Sequence, residues 1–357
     1  LQLAWLAAAC TYSSFAAVEL QSFNDAPQAK PKPAEPELDW SKLHPTLRSH
    51  AADLMAKTPF SKEKREISFP LQDEMEALAT PKFSPDSADL VLAMGYGLQE
   101  EMSRFVRSWL PFAPAVRMTL LLLNEDDMEK NKYLQGWGVE LRHVPWESGR
   151  PELERYSMFE SYLEEPAQAG VEYLLISDIR DVLAQGNPFP AARALWPGKL
   201  LFTTEDPRLS IGSCPFNSRW VKHVFEPSVL ARLADLPVSC SGVTLGDVTP
   251  LRRYLRSMMT LANATREAKA AIGAPVWQGA DQGLHNCLVH DVCKMDELDG
   301  CGPKTDDVVL LPHGVLAFNM AWVPDSEVVV DHFGRVRLAG GSFPALLHQF
   351  DRNARVT

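Results

Sequence analysis

Short apolar runs alternate with segments of helical periodicity from Asp89 to Asp178, and this alternation limits the folds open to the chain. The runs are LVLAMG (90–95), RMTLLLL (117–123), VELRHV (139–144) and EYLLISD (172–178). Strands joined by helical crossovers pair in parallel, and helices then cover both faces of their sheet. The sequence therefore predicts an α/β fold with a Rossmann-type, mostly parallel sheet flanked by helices.

The C-terminal half of the chain is predicted to be less regular. It holds candidate strands at 199–206, 308–314, 327–330 and 344–350, and a long helix over 249–271. The sequence DHFG at 331–334 is typical of a hairpin turn. Ligands of a parallel sheet bind at the carboxyl ends of its strands, which places Gly95 and Asp178 near one ligand-binding edge.

The first 85 residues differ in composition from the rest. Residues 1–18 carry no charge, which predicts a signal peptide or a truncated membrane anchor over 1–20, with a buried helix as the alternative. Four prolines between residues 26 and 40 favour an extended chain, so 21–85 is interpreted as a Pro-rich stem. The globular domain is then predicted over 86–357.

Composition also bears on the compartment and on partners. Five of the six cysteines lie in the C-terminal half, and Asn263-Ala264-Thr265 is a glycosylation sequon. These features predict a secretory-pathway protein with one or two disulfides, whereas in a cytosolic protein the cysteines would be free core residues. The net charge of −11 argues against a nucleic-acid partner, because nucleic acid needs a basic face.

The segment LLISDIRDV (174–182) places carboxylates at the end of a buried strand. Asp178 and Asp181 flank Arg180 and can project into the ligand crevice. Mg²⁺ and Mn²⁺ take oxygen ligands and commonly share them with substrate phosphates, so this pair is a candidate metal site. The alternative is a surface turn in which Asp181 pairs with Arg180 or caps the next helix.

Two further segments supply candidate contacts to a ligand. In SCSGVTLGD (239–247), Gly242 allows a close backbone approach and Ser241 can bond a hydroxyl, unless the segment only flanks an ordinary strand. GADQGLHN (279–286) concentrates polar side chains, among them Asp281 and Gln282, and such a run needs water, partners or a ligand. For Asp281 the alternative is helix capping.

The segment LLHQFDR (346–352) ends an apolar strand with His348 and, four residues later, Arg352. Histidine is a common metal ligand beside carboxylates, and arginine suits phosphate, although a lone histidine is more often structural. A second histidine-containing pattern, HxCxxHxxC at 285–293, matches no zinc site, so disulfide-bonded or core cysteines are favoured there.

The turn GYGLQE (95–100) follows a strand and opens a helix, as a dinucleotide-binding turn does. Gly95 and Tyr96 are therefore candidate nucleotide contacts. Glu100 replaces the third glycine of the dinucleotide pattern, and no acidic residue follows at the expected distance. A nicotinamide-dependent oxidoreductase is accordingly disfavoured.

Together these segments resemble the GT-A class of nucleotide-diphospho-sugar glycosyltransferases, over roughly residues 86–352. SDIRDV resembles the metal-binding Asp-x-Asp segment of that class, and SGVTLG resembles the donor-lining strand of glycogenin-like and plant cell-wall transferases, which are retaining enzymes. GADQGLHN resembles their DQ…N segment, and His348 resembles their C-terminal metal-binding histidine. The order of the four segments along the chain also agrees.

Two positions depart from that pattern. The carboxylates are spaced Asp-x-x-Asp, with Arg180 where the second Asp of the class falls, and Cys240 stands where the class often has Asn. Either Asp181 has taken over the metal role, or metal binding rests on Asp178 and His348.

The resemblance implies transfer of a sugar from a nucleoside-diphosphate sugar to a hydroxyl of a glycan, glycoprotein or polysaccharide, with retention of configuration. A Mn²⁺ or Mg²⁺ ion would be held by Asp178, Asp181 and His348. The nucleotide-sugar contacts would be Gly95, Tyr96, Asp178, Arg180, Ser241, Gly242 and Arg352. Asp281 and Gln282 would be the catalytic residues.

The resemblance also implies a place in the Golgi lumen, with the protein either anchored through its N-terminal segment or secreted. The alternative from another functional class is a catalytically inactive carbohydrate-binding or scaffold protein on the same fold. The displaced carboxylate of SDIRDV keeps that alternative open.

Overall fold

The computed structural model of this chain describes residues 81–146, 150–271, 276, 279–290, 305–332, 334–338, 341–353 and 356. The predicted leader over 1–20 and most of the predicted stem lie outside the described residues, as do Cys10, Cys293 and Cys301. Cys214 and Cys240 are buried free thiols, so neither takes part in a disulfide. A disulfide among the other cysteines stays a prediction. Among the described helices, none is both long enough and apolar enough to cross a membrane.

Seven strands form the central sheet. They are β1 (Asp89–Gly95), β2 (Arg117–Leu122), β3 (Glu140–His143), β4 (Tyr173–Ser177), β6 (Leu200–Thr204), β7 (Ser239–Asp247) and β8 (Val308–Leu311). Their order is β3-β2-β1-β4-β7-β6-β8. β7 runs antiparallel to both of its neighbours, and the other pairs are parallel. The predicted mostly parallel sheet is thus confirmed.

Helices cover both faces of this sheet, as predicted. The α-helices in the described part are α1 (Gln99–Trp109), α2 (Glu125–Asn131), α3 (Pro151–Glu164), α4 (Phe189–Leu195), α5 (Pro215–Val224), α6 (Pro227–Leu233), α7 (Val248–Ala271) and α8 (Ala280–Val289). Helices α1 and α4 contribute to the core on one face. Helices α3, α7 and α8 contribute to the core on the other.

Strand β1 shows why the strands are apolar without alternation. Val91 and Ala93 pack into the core on the α1 side, and Leu90 and Leu92 pack into the core on the α3 side. Successive side chains of a strand point to opposite faces, so a sheet covered on both faces needs apolar residues at every position. The continuous apolar runs in the sequence are the result.

The order of the strands places the ligand crevice. From β1 the chain continues to β2 and β3 on one side of β1, and it later returns to β4 on the other side. Ligands bind beyond the carboxyl ends of the strands at the point where the order reverses. In this chain that point lies between the ends of β1 at Gly95 and β4 at Ser177.

A smaller sheet brings the C-terminal segment to the same crevice. It consists of β5 (Val182–Ala184), β9 (Ala317–Asn319) and β12 (Leu346–His348), with β12 antiparallel to β5 and parallel to β9. Strands β10 (Val329–Val330) and β11 (Val336–Arg337) form an antiparallel hairpin. The hairpin turn predicted at 331–334 is confirmed, because the Asp331 N–H donates to the Arg335 carbonyl.

The folded domain includes residues on the N-terminal side of the predicted boundary at 85/86. Phe83 is buried in the core on the α1 side, and its N–H donates to the Trp137 carbonyl. At Gly138, whose φ is 82°, an added Cβ would lie 2.7 Å from the Phe83 carbonyl oxygen. Phe83 therefore belongs to the domain rather than to a stem.

The sequon residue Asn263 is exposed on the helix α7.

Candidate active site

Two carboxylates follow β4 at the reversal point of the strand order. Asp178 comes directly after β4, and its N–H donates to the Gly242 carbonyl oxygen of β7 over 2.8 Å. Asp181 directly precedes β5 and is only 3% exposed. The side chain of Ile179, between them, is buried in the core. The loop is therefore fixed at both ends and in its middle, which holds the two carboxylates at the crevice.

His348 lies beside these carboxylates. It is the last residue of β12, where it pairs with Val182 of β5. Its Nε2 is 3.6 Å from Oδ1 of Asp181 and 3.8 Å from Oδ2 of Asp178. One ligand atom from each residue lies within 4.8 Å of the others, and no other group of three such residues is found in the described part of the chain. The structure thus brings the three predicted metal ligands together.

The other nitrogen of His348 is held by Asn319, a residue that the sequence interpretation missed. Nδ1 of His348 lies 2.7 Å from Oδ1 of Asn319, whose amide nitrogen donates to the Thr204 carbonyl. Because Oδ1 can only accept, Nδ1 donates, and Nε2 is the ring nitrogen that faces the carboxylates and can bind a cation once it has lost its proton. Metal-binding histidines are commonly oriented in this way by a hydrogen bond on the far nitrogen.

Gly242 leaves space between Asp178 and His348. A Cβ at position 242 would lie 2.7 Å from Asp178 Oδ2 and 2.6 Å from His348 Cε1. The carboxylates of Asp178 and Asp181 repel each other unless a cation lies among them. Carboxylate oxygens with one imidazole suit a divalent ion such as Mn²⁺. These three residues therefore fit a divalent cation, and Gly242 supplies the room.

The replacement Gly242→Ala is expected to weaken Mn²⁺ binding at least about tenfold, because the added methyl group occupies the space between two of the three ligands. Isothermal titration measures the affinity. Gly246→Ala is the control, because Gly246 lies on the same strand as Gly242 but away from the cluster. Its added Cβ would lie 2.6 Å from the carbonyl oxygen of Lys199. That variant should lose stability and keep its Mn²⁺ affinity. Equal affinities in Gly242→Ala and the unmodified protein would contradict the assignment.

Arg155 connects this cluster to the predicted catalytic residue Asp281, and the sequence interpretation missed it. From helix α3 its Nη1 donates to Asp178 Oδ1 over 2.5 Å, and its Nη2 donates to Asp281 Oδ2 over 3.0 Å. Arg155 is buried, which a charged residue tolerates only when it is paired. The sequence indicates this burial only by spacing. Arg155 lies four residues before Phe159 and therefore on the apolar face of α3.

The two carboxylates that share Arg155 titrate differently. Burial acts to raise the pKa of Asp178, but the charge of Arg155 and the nearby imidazole of His348 hold it below the ordinary value. Burial raises the pKa of Asp281 to about 6, and Arg155 offsets this only in part. For His348, burial acts to lower the pKa, yet Cys240 and Asp181 raise it well above the ordinary value. In the absence of a metal ion, the positive charges of Arg155 and His348 thus offset the negative charges of the Asp178 and Asp281 carboxylates.

The side-chain amide of Gln282 is hydrogen-bonded to residues of β7. Its Oε1 accepts from the N–H of Ser241 over 2.9 Å and from the Ser241 hydroxyl over 2.8 Å, and its Nε2 donates to the Ser239 carbonyl. Asp281 does not cap the helix, because the N-cap position of α8 is Gly279. The carboxylate of Asp281 pairs with Arg155 instead. The structure therefore places Gln282 and Ser241 in one hydrogen-bonded unit that fixes α8 against the strand bearing Gly242.

His285 is a structural residue of this interface. It is fully buried, with Nε2 2.9 Å from the Ser239 hydroxyl and Nδ1 2.8 Å from the Tyr254 hydroxyl. Burial lowers its pKa to about 3. Both ring nitrogens are therefore engaged in hydrogen bonds to hydroxyl groups.

The low pKa of His285 predicts a loss of stability in acid. Below about pH 6.5 the unfolded chain protonates this residue while the folded chain does not, so the free energy of unfolding falls as the pH drops toward 3. The contribution is at most about 1.4 kcal/mol per pH unit. Urea unfolding at pH 7 and pH 4.5, in EDTA, measures it. His285→Gln should be less stable at pH 7 but lose less between the two pH values. His143→Gln, at an exposed position, should retain the unmodified slope, and an unchanged slope in His285→Gln would refute the link.

An open cavity of about 650 Å³ lies beyond the carboxyl ends of β1, β2 and β3. Its lining includes Gly97, Asn124, Asp127 and Trp146. The predicted contact Tyr96 is 48% exposed, and its ring centroid is 6.2 Å from that of Trp146. The Gly97 N–H donates to Asp127 Oδ2 over 2.7 Å, which shapes the turn. A planar ring could stack against the two aromatic side chains here.

The remaining predicted contacts have different surroundings. Gly95 is packed in the core, since an added Cβ would lie 2.8 Å from Cε of Met102 and 3.0 Å from Cδ1 of Ile179. Arg180 is half exposed and donates to Asp181 Oδ2 over 2.9 Å. Arg352 is exposed and lies in a short 3₁₀ helix, Phe350–Arg352, shortly after His348. Arg180 thus contacts the carboxylate cluster through Asp181, whereas the ion pair of Arg352 is with its neighbour Asp351, at 4.0 Å.

No known family model matches this chain, and no curated protein sequence matches it. Solved structures with similar folds include named glycosyltransferases. The glycosyltransferase GlyE of Streptococcus pneumoniae, in its apo form, is 13% identical with a TM-score of 0.41, over 73% of this chain and 54% of that chain. Mouse xyloside xylosyltransferase 1, also apo, is 12% identical with a TM-score of 0.38, over 73% of this chain and 96% of that one.

A third similar structure is glucosyl-3-phosphoglycerate synthase from Mycobacterium tuberculosis, solved with Mn²⁺, UDP and glucosyl-3-phosphoglycerate. It is 14% identical with a TM-score of 0.36, over 71% of this chain and 76% of that chain. The matched part spans about half the length of GlyE, at 54%. These similarities concern the fold alone.

Proposed function

We propose that this chain is a divalent-metal-dependent glycosyltransferase that uses a nucleoside-diphosphate sugar. The observation that carries the proposal is the cluster of Asp178, Asp181 and His348 at the reversal point of a mostly parallel sheet. Phosphate oxygens complete the coordination of Mg²⁺ and Mn²⁺ where a protein supplies few ligands. A negatively charged cluster that binds a cation would thereby acquire affinity for a diphosphate.

Each part of the crevice has a role in this proposal. The three cluster residues would hold Mn²⁺ or Mg²⁺, which supplies Lewis-acid neutralisation of the diphosphate leaving group. The exposed guanidinium groups of Arg180 and Arg352 would add positive charge at the cluster's rim. The cavity lined by Trp146 would take the nucleoside, since the indole ring, with Tyr96 next to it, suits a planar base.

Asp281 would face the sugar rather than the phosphates. It shares Arg155 with the metal ligand Asp178, so the guanidinium sets the position of both carboxylates. With a pKa of about 6, Asp281 is ionised at neutral pH and can stabilise positive charge that develops on the sugar. Gln282 would act through β7, by fixing Ser241 and the neighbouring Gly242. Retention of configuration and a glycan or protein hydroxyl as acceptor belong to the same proposal.

The sequence features outside the described residues suggest where this activity takes place. An uncharged segment over 1–20 and a Pro-rich stem up to about residue 80 suit a domain carried into the Golgi lumen, anchored or secreted. The catalytic domain would then run from about Phe83 to residue 357, because Phe83 packs into its core.

A thermal-shift screen of UDP- and GDP-sugars, each with Mn²⁺ and with EDTA, tests the proposed function. A ligand at a hundred times its Kd adds about 2.7 kcal/mol to the stability of the folded state, so the right nucleotide should raise the melting temperature only when Mn²⁺ is present. Slow hydrolysis of that nucleotide sugar would then separate an enzyme from an inactive carbohydrate-binding protein. Failure of all the nucleotides to bind with Mn²⁺ would reject the proposal.

A further inference from the structure

A second open cavity lies beside the proposed nucleoside cavity. Its volume is about 720 Å³, and its walls are the ends of β2 and β3, the segment 144–146, one face of helix α3, and Arg266 of α7. We call it the α3 cavity. His143, Pro145 and Trp146 line both cavities, so a molecule bound in the α3 cavity lies next to the nucleoside cavity. Its size is within the range of known ligand sites.

Helix α3 presents polar side chains to this cavity. Glu154, Ser157, Met158 and Ser161 line it, and their spacing of i, i+3, i+4 and i+7 places them on one face of the helix. The apolar residues of α3, such as Phe159, pack into the core instead. Because the two serines are short, they leave space that larger side chains would fill. The face of α3 at the cavity is therefore open to a ligand.

The charged side chains of the cavity form two ion pairs. Nη2 of Arg142 donates to both carboxylate oxygens of Glu165, over 2.6 Å and 2.5 Å. Arg266 forms an ion pair with Glu154. The side chains of Arg142 and Arg266 are 42% and 41% exposed, so each guanidinium keeps N–H groups that a ligand can reach. Because the positive and negative charges match, the cavity favours a neutral ligand over a phosphate or a cation.

We infer that the α3 cavity binds a neutral oligosaccharide, which is the acceptor of the transfer reaction. The inference rests on the proposed function, and it selects a glycan from the acceptors considered there. A sugar hydroxyl both donates and accepts hydrogen bonds, so it can bond a carboxylate and a guanidinium that already pair with each other. The apolar C–H face of a sugar ring packs against side chains such as Met158 and Trp146.

Helix α3 also connects the cavity to the catalytic carboxylates. The cavity residue Glu154 directly precedes Arg155, which donates to Asp178 and Asp281. The first turns of α3 thus border the cavity on one side and the crevice on another. An oligosaccharide that lies along α3 therefore has one end near the proposed position of the donor sugar.

The replacement Ser161→Phe tests the cavity, because the phenyl ring fills space at an exposed position outside the core. Ser228→Phe is the matched control, since Ser228 is an exposed serine of helix α6 that lines neither cavity. The probes are short neutral oligosaccharides of glucose, galactose, mannose, xylose and N-acetylglucosamine. Isothermal titration should show that at least one of them binds the unmodified protein and Ser228→Phe equally, and Ser161→Phe at least about tenfold more weakly. Thermal melts in EDTA verify that both variants are folded.

A second variant, Glu165→Gln, tests the balance of charge while keeping the shape of the cavity. It leaves the charge of Arg142 unmatched, so the affinity for the neutral oligosaccharide should fall and that for a phosphorylated form of the same oligosaccharide should rise. An unchanged preference between the two forms would contradict recognition through the ion pairs.

Failure of this inference can be told apart from failure of the proposed function. If no oligosaccharide binds the unmodified protein with a Kd below ~1 mM, or if Ser161→Phe binds as the control does, the inference is overturned. Hydrolysis of a nucleotide sugar by the unmodified protein would in that case leave the proposed function standing. If an oligosaccharide binds but no nucleotide sugar binds with Mn²⁺, the proposed function fails, and with it the role of this glycan as an acceptor.

Discussion

Replacing Asp181 with asparagine will weaken Mn²⁺ binding at least about a hundredfold, or ~2.7 kcal/mol, without destabilising the unliganded protein. Asp181 is buried, and its Oδ1 faces Nε2 of His348 at 3.6 Å. The carboxylate contributes charge to the cation, and asparagine removes that charge while keeping the shape. Without a metal ion the same charge repels Asp178 but attracts Arg180, whose Nη2 is 2.9 Å from Oδ2 of Asp181. These effects offset each other, so the stability of the unliganded protein should change little.

The measurement is a pair of thermal melts, in EDTA and in saturating Mn²⁺, supported by titration. In the unmodified protein Mn²⁺ should raise the melting temperature, and in Asp181→Asn this increase should be lost. Asp351→Asn is the matched control, because Asp351 also faces Arg180, at 3.7 Å, but lies outside the cluster. It should retain the Mn²⁺ response. An equal response in Asp181→Asn would show that the cluster is not a metal site.

Arg155→Gln is expected to be the most destabilising single substitution at the site, with a loss of about 3–5 kcal/mol in the free energy of unfolding. Arg155 is buried and is the shared partner of Asp178 and Asp281. Without its charge, the buried Asp281 loses its partner, and burial already raises the pKa of this carboxylate. Urea unfolding in EDTA at pH 7 isolates this effect from metal binding.

Arg193→Gln is the control for Arg155→Gln. Arg193 also bridges two carboxylates, Asp89 and Glu172, but its side chain is 40% exposed. Exposed ion pairs contribute little, so this variant should lose at most about 1 kcal/mol. Adding Asp281→Asn to Arg155→Gln should recover part of the loss, because the buried side chain that lost its partner is then neutral. If the two arginine variants are equally stable, Arg155 is not the electrostatic centre of the site.

The sequence by itself determined the secondary structure of the first half of the domain and the order of the strands along the chain. The runs at 90–95 and 117–123 became β1 and β2 nearly to the residue, and the predicted turn at 331–334 closes the β10–β11 hairpin. Local periodicity carries this information, because each residue's face follows from its neighbours along the chain. The end of a buried strand likewise marked Asp178 and Asp181 as crevice residues.

Only the tertiary structure decided which of these side chains meet. Arg155 contacts residues 23 and 126 positions away, and Asn319 reaches His348 over 29 positions. Asp181 joins the cluster because β12 pairs with β5 directly after it. Gln282, a catalytic candidate by resemblance, turned out to be bonded to β7. Convergence of this kind depends on strand order and long-range pairing, and the period of a local sequence pattern carries no information about either.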